Sequence, residues 1–287
     1  MSYHMNGVRR KSADGHINTE PLYMRRLRPY ASSMLLMATA LAEELETALN
    51  LCRTRKKMRC AGLPIWEGTH AEETFYLLKL GVGPVRSAAV LERILGGLQP
   101  TQILVAGYAG ALDPELKLGE LVIVERADLL SGQSEHWPLS ELGLSGGWPL
   151  AAAGELCAQA RAAGLLVRRG TSLTSSCVIG DPEHKRALFQ RFQAAIIDME
   201  TGALARVASA WAIPLSCVRA VSDVADDDLF AFLSYHPGSG SFRRASKTLT
   251  AGGWLRRYSQ WRQHSLTARQ SLSRFLTCFL GQRTNYK

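Results

Sequence analysis

The sequence has no apolar run long enough to cross a bilayer and no cysteine spacing that would hold a metal ion. A membrane-spanning helix needs about 20 consecutive apolar residues, and no stretch of this chain approaches that length. The cysteines form no C-x-x-C pair, and none has a histidine at metal-ligand spacing: Cys52, Cys60, Cys157, Cys177, Cys217 and Cys278. Several lie in apolar runs, which predicts buried free thiols in a reducing cytosol and no metal site.

Acidic residues are missing from the C-terminal fifth of the chain. Residues 229–287 contain no Asp or Glu but ten lysines and arginines, and residues 1–33 are also basic. The net charge of +9 is therefore concentrated at the two ends. This distribution predicts an anionic partner, a membrane surface or a nucleic acid, rather than a basic fold throughout.

The length of 287 residues and the hydrophobic content of 46% allow one large α/β domain. Short apolar runs alternate with helical patterns, which predicts a three-layer α/β/α fold with a twisted, mostly parallel central sheet. The predicted strands are 33–39, 75–80, 102–106, 121–125, 172–176, 195–198 and 215–221. The predicted helices between them are 85–95, 150–163, 182–192 and 201–211.

We divide the chain into a basic extension (1–33), a catalytic domain (34–264) and a basic amphipathic tail (265–287). Residues 131–147 are predicted to form a long loop that covers a pocket. Two helical apolar faces occur near the C-terminus, one formed by Trp254, Leu255, Tyr258 and Trp261, the other by Leu272, Phe275, Leu276 and Phe279. These faces fit either helices that pack on the sheet or helices that lie in a membrane interface.

Polar residues end three of the apolar runs. Glu44 follows the first predicted strand, Met199 and Glu200 lie at a strand-to-helix junction, and Ser222 and Asp223 end the strand that contains Arg219. A single carboxylate at such a place is more often a helix cap. Ligands of open α/β sheets, however, bind beyond the carboxyl ends of the strands, so three such ends predict one site.

Two glycine clusters also follow predicted strands. Gly81-Val82-Gly83 lacks the third glycine of a dinucleotide fingerprint, because Arg86 stands there, so NAD binding is disfavoured and we expect no cofactor. The segment 107–111, which contains Ala109 and Gly110, would let the backbone approach a ligand closely, although a tight turn would explain it equally well.

Together these segments resemble the superfamily of purine nucleoside phosphorylases and methylthioadenosine/S-adenosylhomocysteine nucleosidases. The resemblance covers about residues 34–235 and rests on ALAEEL, GVGPVRSAAVLERIL, ILVAGYAGALDPELKLGELVIV and SSCVIGD. Its most specific part is the pairing of DMETGALA with VRAVSD. Within the superfamily, the ALAEE opening, the Asp-Met-Glu order and the basic C-terminal part are similar to the branch associated with hopanoid biosynthesis.

The resemblance implies a role for each matching residue. Asp223 would give a proton to purine N7, Glu200 would bind the ribose 2′-hydroxyl, and Glu44 would activate the attacking water. Met199 would pack on the ribose, while Val178 and Ile179 would enclose the base. Ser222 and Arg219 would orient Asp223. These roles fit glycosidic cleavage, in which the sugar gains positive charge and the departing base must be protonated.

The sequence lacks the early G-D-P-x-R phosphate loop of the phosphorylases, and Tyr108 stands where they place a threonine. Both differences favour hydrolysis. We expect release of adenine from an adenosyl substrate, with lipid-linked adenosylhopane as the first choice. The alternatives are a methylthioadenosine/S-adenosylhomocysteine nucleosidase, a phosphorolytic enzyme, or a non-catalytic nucleotide-sensing module. We further expect a cytoplasmic homodimer that binds an anionic inner-membrane surface and no nucleic acid.

Overall fold

The computed structural model describes residues 34–71, 73–131, 142–229, 233–234, 243–244 and 251–283, with side chains up to residue 229 and from residue 264. The strands are β1 (Leu35–Thr39), β2 (Thr54–Cys60), β3 (Leu63–His70), β4 (Glu73–Lys79), β5 (Gln102–Ala111), β6 (Leu121–Ser131), β7 (Gly143–Pro149), β8 (Val167–Thr174), β9 (Ile196–Asp198), β10 (Leu215–Asp223), β11 (Leu233–Ser234) and β12 (Arg243–Arg244). The helices are α1 (Ala42–Leu49), α2 (Pro84–Leu95), α3 (Ala153–Ala162), α4 (Pro182–Phe192), α5 (Thr201–Ala210) and α6 (Ala251–Arg283).

Strands β1 to β10 form one mixed sheet. β1 pairs in parallel with β4 and β5, and β5 pairs in parallel with β10. β10 then pairs antiparallel with β6, and β6, β8 and β9 follow in parallel. Because the end of β9 pairs with the end of β5, five strands form a closed ring of pairings. The sheet also contains more antiparallel pairs than predicted. β2, β3 and β7 all pair antiparallel with their neighbours.

The helices cover both faces of the sheet, as the three-layer prediction requires. Alternate residues of β1 point to opposite faces, so Leu36 belongs to one hydrophobic cluster and Met37 to the other. The first cluster contains the buried sides of α2 and α5, including Leu91 and Leu204. The second contains the buried sides of α1, α3 and α6, including Leu156. The predicted α/β/α architecture is thus confirmed.

All seven predicted strands overlap observed ones, but β2, β3, β7 and the two-residue strands β11 and β12 were not predicted. β2 is an exposed edge strand with the sequence TRKKMRC, so it lacks the apolar alternation of a half-buried strand. The predicted loop 131–147 is wrong at its C-terminal end, because residues from Gly143 onward pair with β6. Residues 132–141 of this loop lie outside the described residues.

The C-terminal residues form one helix, α6, so the predicted boundary after residue 264 falls inside it. Leu272, Phe275 and Leu276 are buried in the second cluster, which shows that this apolar face packs on the protein. The side chains of the face at 254–261 and the extension 1–33 lie outside the described residues. No helix in the described part of the chain is long and apolar enough to cross a membrane.

Candidate functional site

A cavity of about 160 Å³ lies where β1, β9 and β10 end. β1 leads through Ala40 and Leu41 into α1, β9 ends at Asp198, and β10 ends at Asp223. The predicted site residues that line this cavity are Glu44, Val178, Ile179, Met199, Glu200, Ser222, Asp223, Ala109 and Gly110. Residues that are up to 179 positions apart in the sequence are therefore brought to one place, and Arg219 is the only predicted residue that does not line the cavity.

Glu44 is held by backbone groups from two strand ends. Its Oε2 accepts hydrogen bonds from the N–H groups of Ala40, at 2.9 Å, and Leu41, at 2.8 Å. Its Oε1 accepts one from the N–H of Tyr108 at 2.9 Å. Burial raises the pKa of Glu44, although Arg219 and these backbone donors lower it. A carboxylate that is fixed and poorly solvated in this way can accept a proton from a water molecule in the cavity.

Asp223 is held at both carboxylate oxygens. The hydroxyl of Ser222 donates to Oδ1 at 2.8 Å, as expected if Ser222 orients this carboxylate. The ammonium group of Lys185, which comes from α4, donates to Oδ2 at 2.6 Å. Both members of this ion pair are buried, with exposed side-chain fractions of 0% for Lys185 and 6% for Asp223. The sequence analysis did not identify Lys185 as a partner of Asp223.

The glycines of β5 make room for these carboxylates. A Cβ atom on Gly107 would lie 2.6 Å from Glu44 Oε1 and 2.6 Å from a terminal nitrogen of Arg219. A Cβ atom on Gly110 would lie 2.7 Å from Asp223 Oδ2. Neither glycine has positive φ, so close approach rather than a tight turn explains why glycine occurs here.

Asp198 organises the junction between β9 and α5. Its Oδ1 accepts hydrogen bonds from the backbone N–H groups of Glu200 and Thr201, at 3.1 and 3.0 Å, and from the hydroxyl of Thr174 at 2.8 Å. Its Oδ2 lies 3.1 Å from Nε of Arg219 and also accepts from the hydroxyl of Thr201. Asp198 therefore satisfies the first N–H groups of α5 and sets the position of Glu200.

Arg219 lies beneath the cavity and is 1% exposed. Its guanidinium contacts Asp198, lies 3.5 Å from Glu200 Oε2 and donates to the backbone oxygen of Tyr108 at 3.3 Å. Arg219 was predicted to orient Asp223. Its carboxylate partners in the structure are instead Asp198 and Glu200. Burial lowers the pKa of the guanidinium, but the surrounding acids outweigh it and the net shift is upward.

Glu200 is 5% exposed and faces the cavity. Its Oε1 accepts a hydrogen bond from the N–H of Gly83 at 3.0 Å. Burial raises the pKa of Glu200 to about 7, with a contribution from the negative charge of Asp198, while Arg219 acts in the opposite direction. Glu200 can therefore exchange a proton near neutral pH.

Apolar side chains complete the walls. Val178 and Ile179 come from the segment between β8 and α4, and Met199 comes from the turn before α5. Cys177 and Leu229 also line the cavity and were not predicted. Within the described ranges, no group of three or more His, Cys, Asp or Glu side chains is placed to hold a metal ion. The cavity combines apolar side chains with several carboxylates, which suits a heteroaromatic base joined to a polyhydroxyl ring.

Two residues that sequence reasoning missed or misplaced carried a readable signal. Lys185 occupies the apolar stripe of α4, in register with Leu188, Phe189 and Phe192 at spacings of three, four and seven residues. Arg219 lies in the middle of the buried, mainly apolar segment CVRAV of β10. A cation at an interior position of either pattern indicates a buried carboxylate partner.

Comparison with known proteins places these features in a family. The model of the Phosphorylase superfamily matches residues 34–247. A 5′-methylthioadenosine/S-adenosylhomocysteine nucleosidase from Marinomonas sp. (strain MWYL1) is 28% identical over 211 residues, which cover 67% of this chain and 87% of the relative.

Two solved structures have the same fold. Futalosine hydrolase of Helicobacter pylori strain 26695 aligns with a TM-score of 0.67 and 16% identity, covering 87% of this chain and 98% of that one. The 5′-methylthioadenosine/S-adenosylhomocysteine nucleosidase from Neisseria meningitidis, solved with methylthio-immucillin-A, aligns with a TM-score of 0.66 and 18% identity, covering 88% and 100%.

Proposed function

Because the chain belongs to the Phosphorylase superfamily, we propose that it is a nucleosidase that uses water to release adenine from an adenosyl substrate. The chain is an enzyme that cleaves the N-glycosidic bond of nucleoside-like substrates, as its nucleosidase relative and the family match indicate. The observation that carries the finer proposal is that Glu44 and Asp223, a candidate base and a candidate acid, line one cavity with Glu200 and Met199.

The proposed reaction divides the work between the two ends of the cavity. As the C1′–N9 bond breaks, its electron pair moves to the purine and the ribose becomes oxocarbenium-like. Asp223 supplies a proton to N7, which makes adenine a neutral leaving group. Glu44 takes a proton from the water that attacks C1′. Acid and base steps of this kind typically contribute about a hundred- to ten-thousandfold each.

Glu200 and Met199 would hold the sugar between these two groups. The carboxylate of Glu200 accepts a hydrogen bond from the 2′-hydroxyl, and its negative charge stabilises the developing cation. Arg219 and Asp198 fix the position of that carboxylate from below. Val178 and Ile179 pack on the base, and Met199 packs on the ribose face.

The cavity favours water over phosphate as the nucleophile. Sites for phosphate commonly use arginine or lysine as donors. Among the described residues that line the cavity, none is Arg or Lys, because Arg219 and Lys185 lie behind the carboxylates that they contact. The carboxylate of Glu44 would in addition repel a phosphate anion at the place where the nucleophile must bind.

The finer proposal for the substrate is adenosylhopane, bound by a cytoplasmic homodimer at the inner membrane surface. It is supported by the ALAEE opening, the Asp-Met-Glu order and the acid-free C-terminal segment. A 5′-thio-substituted adenosine is the second candidate, because the Marinomonas relative bears the name of such a nucleosidase.

A panel of 5′-substituted adenosines tests the reaction. The protein is incubated with adenosylhopane, methylthioadenosine and S-adenosylhomocysteine, with and without inorganic phosphate, and the products are identified by mass spectrometry. We expect adenine and a free 5′-substituted ribose, at a rate that phosphate does not increase. Glu44→Gln should abolish turnover, because Gln cannot accept the proton from water. A ribose 1-phosphate product would overturn hydrolysis, and the best substrate of the panel decides between the two substrate candidates.

A further inference from the structure

Lys185 is buried at the end of the cavity where the base is expected. Its ammonium group donates to Asp223 Oδ2 at 2.6 Å, to the backbone oxygen of Val224 at 2.9 Å and to that of Asp227 at 3.3 Å. The side chain is completely buried. Removing an ammonium ion from water is costly, and an apolar residue of the same length would fill this stripe of α4 without that cost. The position of Lys185 therefore calls for a reason beyond packing.

We propose that Lys185 is a positioning residue that supplies the proton which Asp223 passes to the purine. This inference rests on the proposed function, in which Asp223 is the acid. The ammonium group 2.6 Å away stabilises the carboxylate form of Asp223, and that form has no proton of its own to give. The transferable proton then belongs to the pair and is carried by Lys185 until the base departs.

The step balances in protons and charge. The pair begins as ammonium and carboxylate. As the C1′–N9 electron pair moves to the purine, N7 takes a proton through the Asp223 carboxyl group, and Lys185 gives its proton to the same carboxyl. The step ends with a neutral Lys185 amine, an Asp223 carboxylate and neutral adenine. Water adds hydroxide to C1′ and leaves its proton on Glu44. Solvent then returns one proton to the pair and removes one from Glu44.

The arrangement of oxygen atoms suits this relay. Ser222 holds Oδ1 and Lys185 holds Oδ2, so the carboxyl group keeps one orientation while it gains and loses a proton. Asp223 lines the cavity, whereas Lys185 lies behind it, so only the carboxyl group can touch the base. Lys185 thus acts through Asp223.

Other charged groups near the pair are themselves partnered. The carboxylate of Asp227 accepts a hydrogen bond from the N–H of Val224 at 2.9 Å and lies 3.5 Å from Nδ1 of His264 on α6. Arg186, the next residue of α4, lies 3.5 Å from the exposed Asp226. On the cavity side, the charged groups are Glu44, and Glu200 and Asp198 with Arg219. In the described residues, Lys185 is the cation in contact with Asp223.

The test compares Lys185→Met, which removes the ammonium group, with Lys185→Arg, which keeps a positive charge that is not given up near neutral pH. Arg186→Met is the matched control, because it removes an exposed cation from the same helix. With the best substrate of the panel, we expect kcat at pH 8 to fall by about a hundredfold or more in both Lys185 variants. The KM should change by less than about threefold, because Lys185 does not touch the substrate. Arg186→Met should keep the wild-type values.

The pH dependence of kcat distinguishes a lysine that supplies a proton from a lysine that only stabilises the structure. In the wild type the alkaline limb of kcat reports loss of the last proton from the pair, and without the ammonium group it reports Asp223 alone. We expect this limb to move toward acid by about one pH unit or more in Lys185→Met. A merely structural lysine would lower kcat or the melting temperature without moving the limb, and that result overturns the proposal. Wild-type kcat in Lys185→Arg would likewise overturn it, because a cation that holds the Asp223 carboxylate would then suffice without supplying a proton.

If Lys185→Met alone does not fold, Asp223→Asn is compared with the double variant Asp223→Asn/Lys185→Met. If Lys185 acts only through Asp223, then Lys185→Met should not lower kcat further in an Asp223→Asn background, where the buried ammonium group has lost its partner. Independent, multiplicative losses would contradict the proposal. The two failures are distinguishable: a wild type that releases no base overturns the proposed function and this inference with it. An active wild type whose Lys185 variants keep its kcat overturns this inference alone.

Discussion

At the scale of single residues, one guanidinium group beneath the cavity interacts with several carboxylates. Arg219 lies 3.1 Å from Asp198 and 3.5 Å from Glu200, and its charge also lowers the pKa of Glu44. Asp198 accepts so many hydrogen bonds that its charge is well supported. Burial raises the pKa of the other two carboxylates. Arg219 therefore opposes the effect of burial on the pKa of both Glu44 and Glu200.

The first residue-scale prediction concerns Asp223→Asn. Asn is nearly isosteric but cannot deliver a proton, so kcat should fall by more than tenfold, which corresponds to about 1.4 kcal/mol or more of transition-state stabilisation. The variant should also be less stable, because Lys185 keeps a buried charge without a carboxylate partner. Breaking one side of a buried pair typically costs about 3 to 5 kcal/mol.

Urea unfolding and steady-state kinetics check both parts of this prediction. In the double variant Asp223→Asn/Lys185→Met, stability should recover while kcat stays low, because the unpaired charge is gone and the acid is still missing. If Asp223→Asn kept more than a tenth of the wild-type kcat, Asp223 would be a structural partner of Lys185 and not the acid.

The residues at strand ends could be predicted, whereas the contacts made by the residues behind them could not. Glu44, Glu200 and Asp223 follow apolar strands, and that position in an α/β sheet predicts a site from local pattern alone. Lys185 reaches the site from a helix whose placement depends on the packing of β8 and β9. Arg219 was found by its place in the strand, but which acid it contacts depends on side-chain direction, which a strand pattern gives only as one face or the other.

At the scale of elements, α6 shows how one amphipathic pattern fits two environments. Ala268, Leu272, Phe275, Leu276 and Leu280 recur at helical spacing and are all buried. The same spacing with arginines on other faces is typical of an interfacial helix, so the sequence left both alternatives open. The described part of α6 packs on α1, α3 and β10. The apolar face at residues 268–280 therefore packs on the rest of the chain and does not lie in a membrane interface.

Truncation of α6 side chains should therefore affect folding. We expect Leu272→Ala to lower the free energy of unfolding by about 2 to 5 kcal/mol, because a completely buried leucine leaves a cavity. Leu266→Ala on the same helix is the matched control, since Leu266 is 46% exposed and should change stability by less than about 0.5 kcal/mol. Urea denaturation measures both. Equal effects of the two variants would mean that α6 is not part of the folded core.

The β2–β3 hairpin could have been recognised by its turn rather than by its strands. Ala61 and Gly62 join the strands, with φ angles of 49° and 78°. Two consecutive positive φ angles are typical of the tight turn that suits a two-residue hairpin. Exposed charges along β2 hide the strand pattern but protect an edge strand against pairing with other chains. Edge strands are thus the elements for which apolar periodicity is least informative.

At the scale of the whole molecule, the fold extends over residues 34–283, whereas the positive charge is concentrated towards the ends of the sequence. Strand and helix alternation predicted the layers correctly, because each layer buries its own apolar face. The ring of pairings through β5, β9 and β10 depends on strand order, which no local pattern specifies. The acid-free segment 229–287 extends from the end of the cavity wall at Leu229 through α6. The basic part of the sequence therefore begins directly after Leu229, which lines the cavity.

This charge distribution leads to a prediction about membranes. Because the apolar face of α6 at residues 268–280 is buried, it is not available to a membrane, and we expect the arginines of this segment to contribute to docking by about 1 kcal/mol each near an anionic leaflet. We expect the protein to co-sediment with anionic phosphatidylglycerol vesicles at low salt and to be released as salt rises. Neutralising Arg256, Arg257 and Arg262 with glutamine should weaken binding. The matched variant Arg55→Gln/Lys56→Gln/Arg59→Gln removes three cations from the exposed strand β2, and an equal loss of binding in this variant would mean that docking follows the net charge and not this segment. A protein that ignores anionic vesicles at low salt would contradict docking and leave a soluble adenosyl compound as the better substrate candidate.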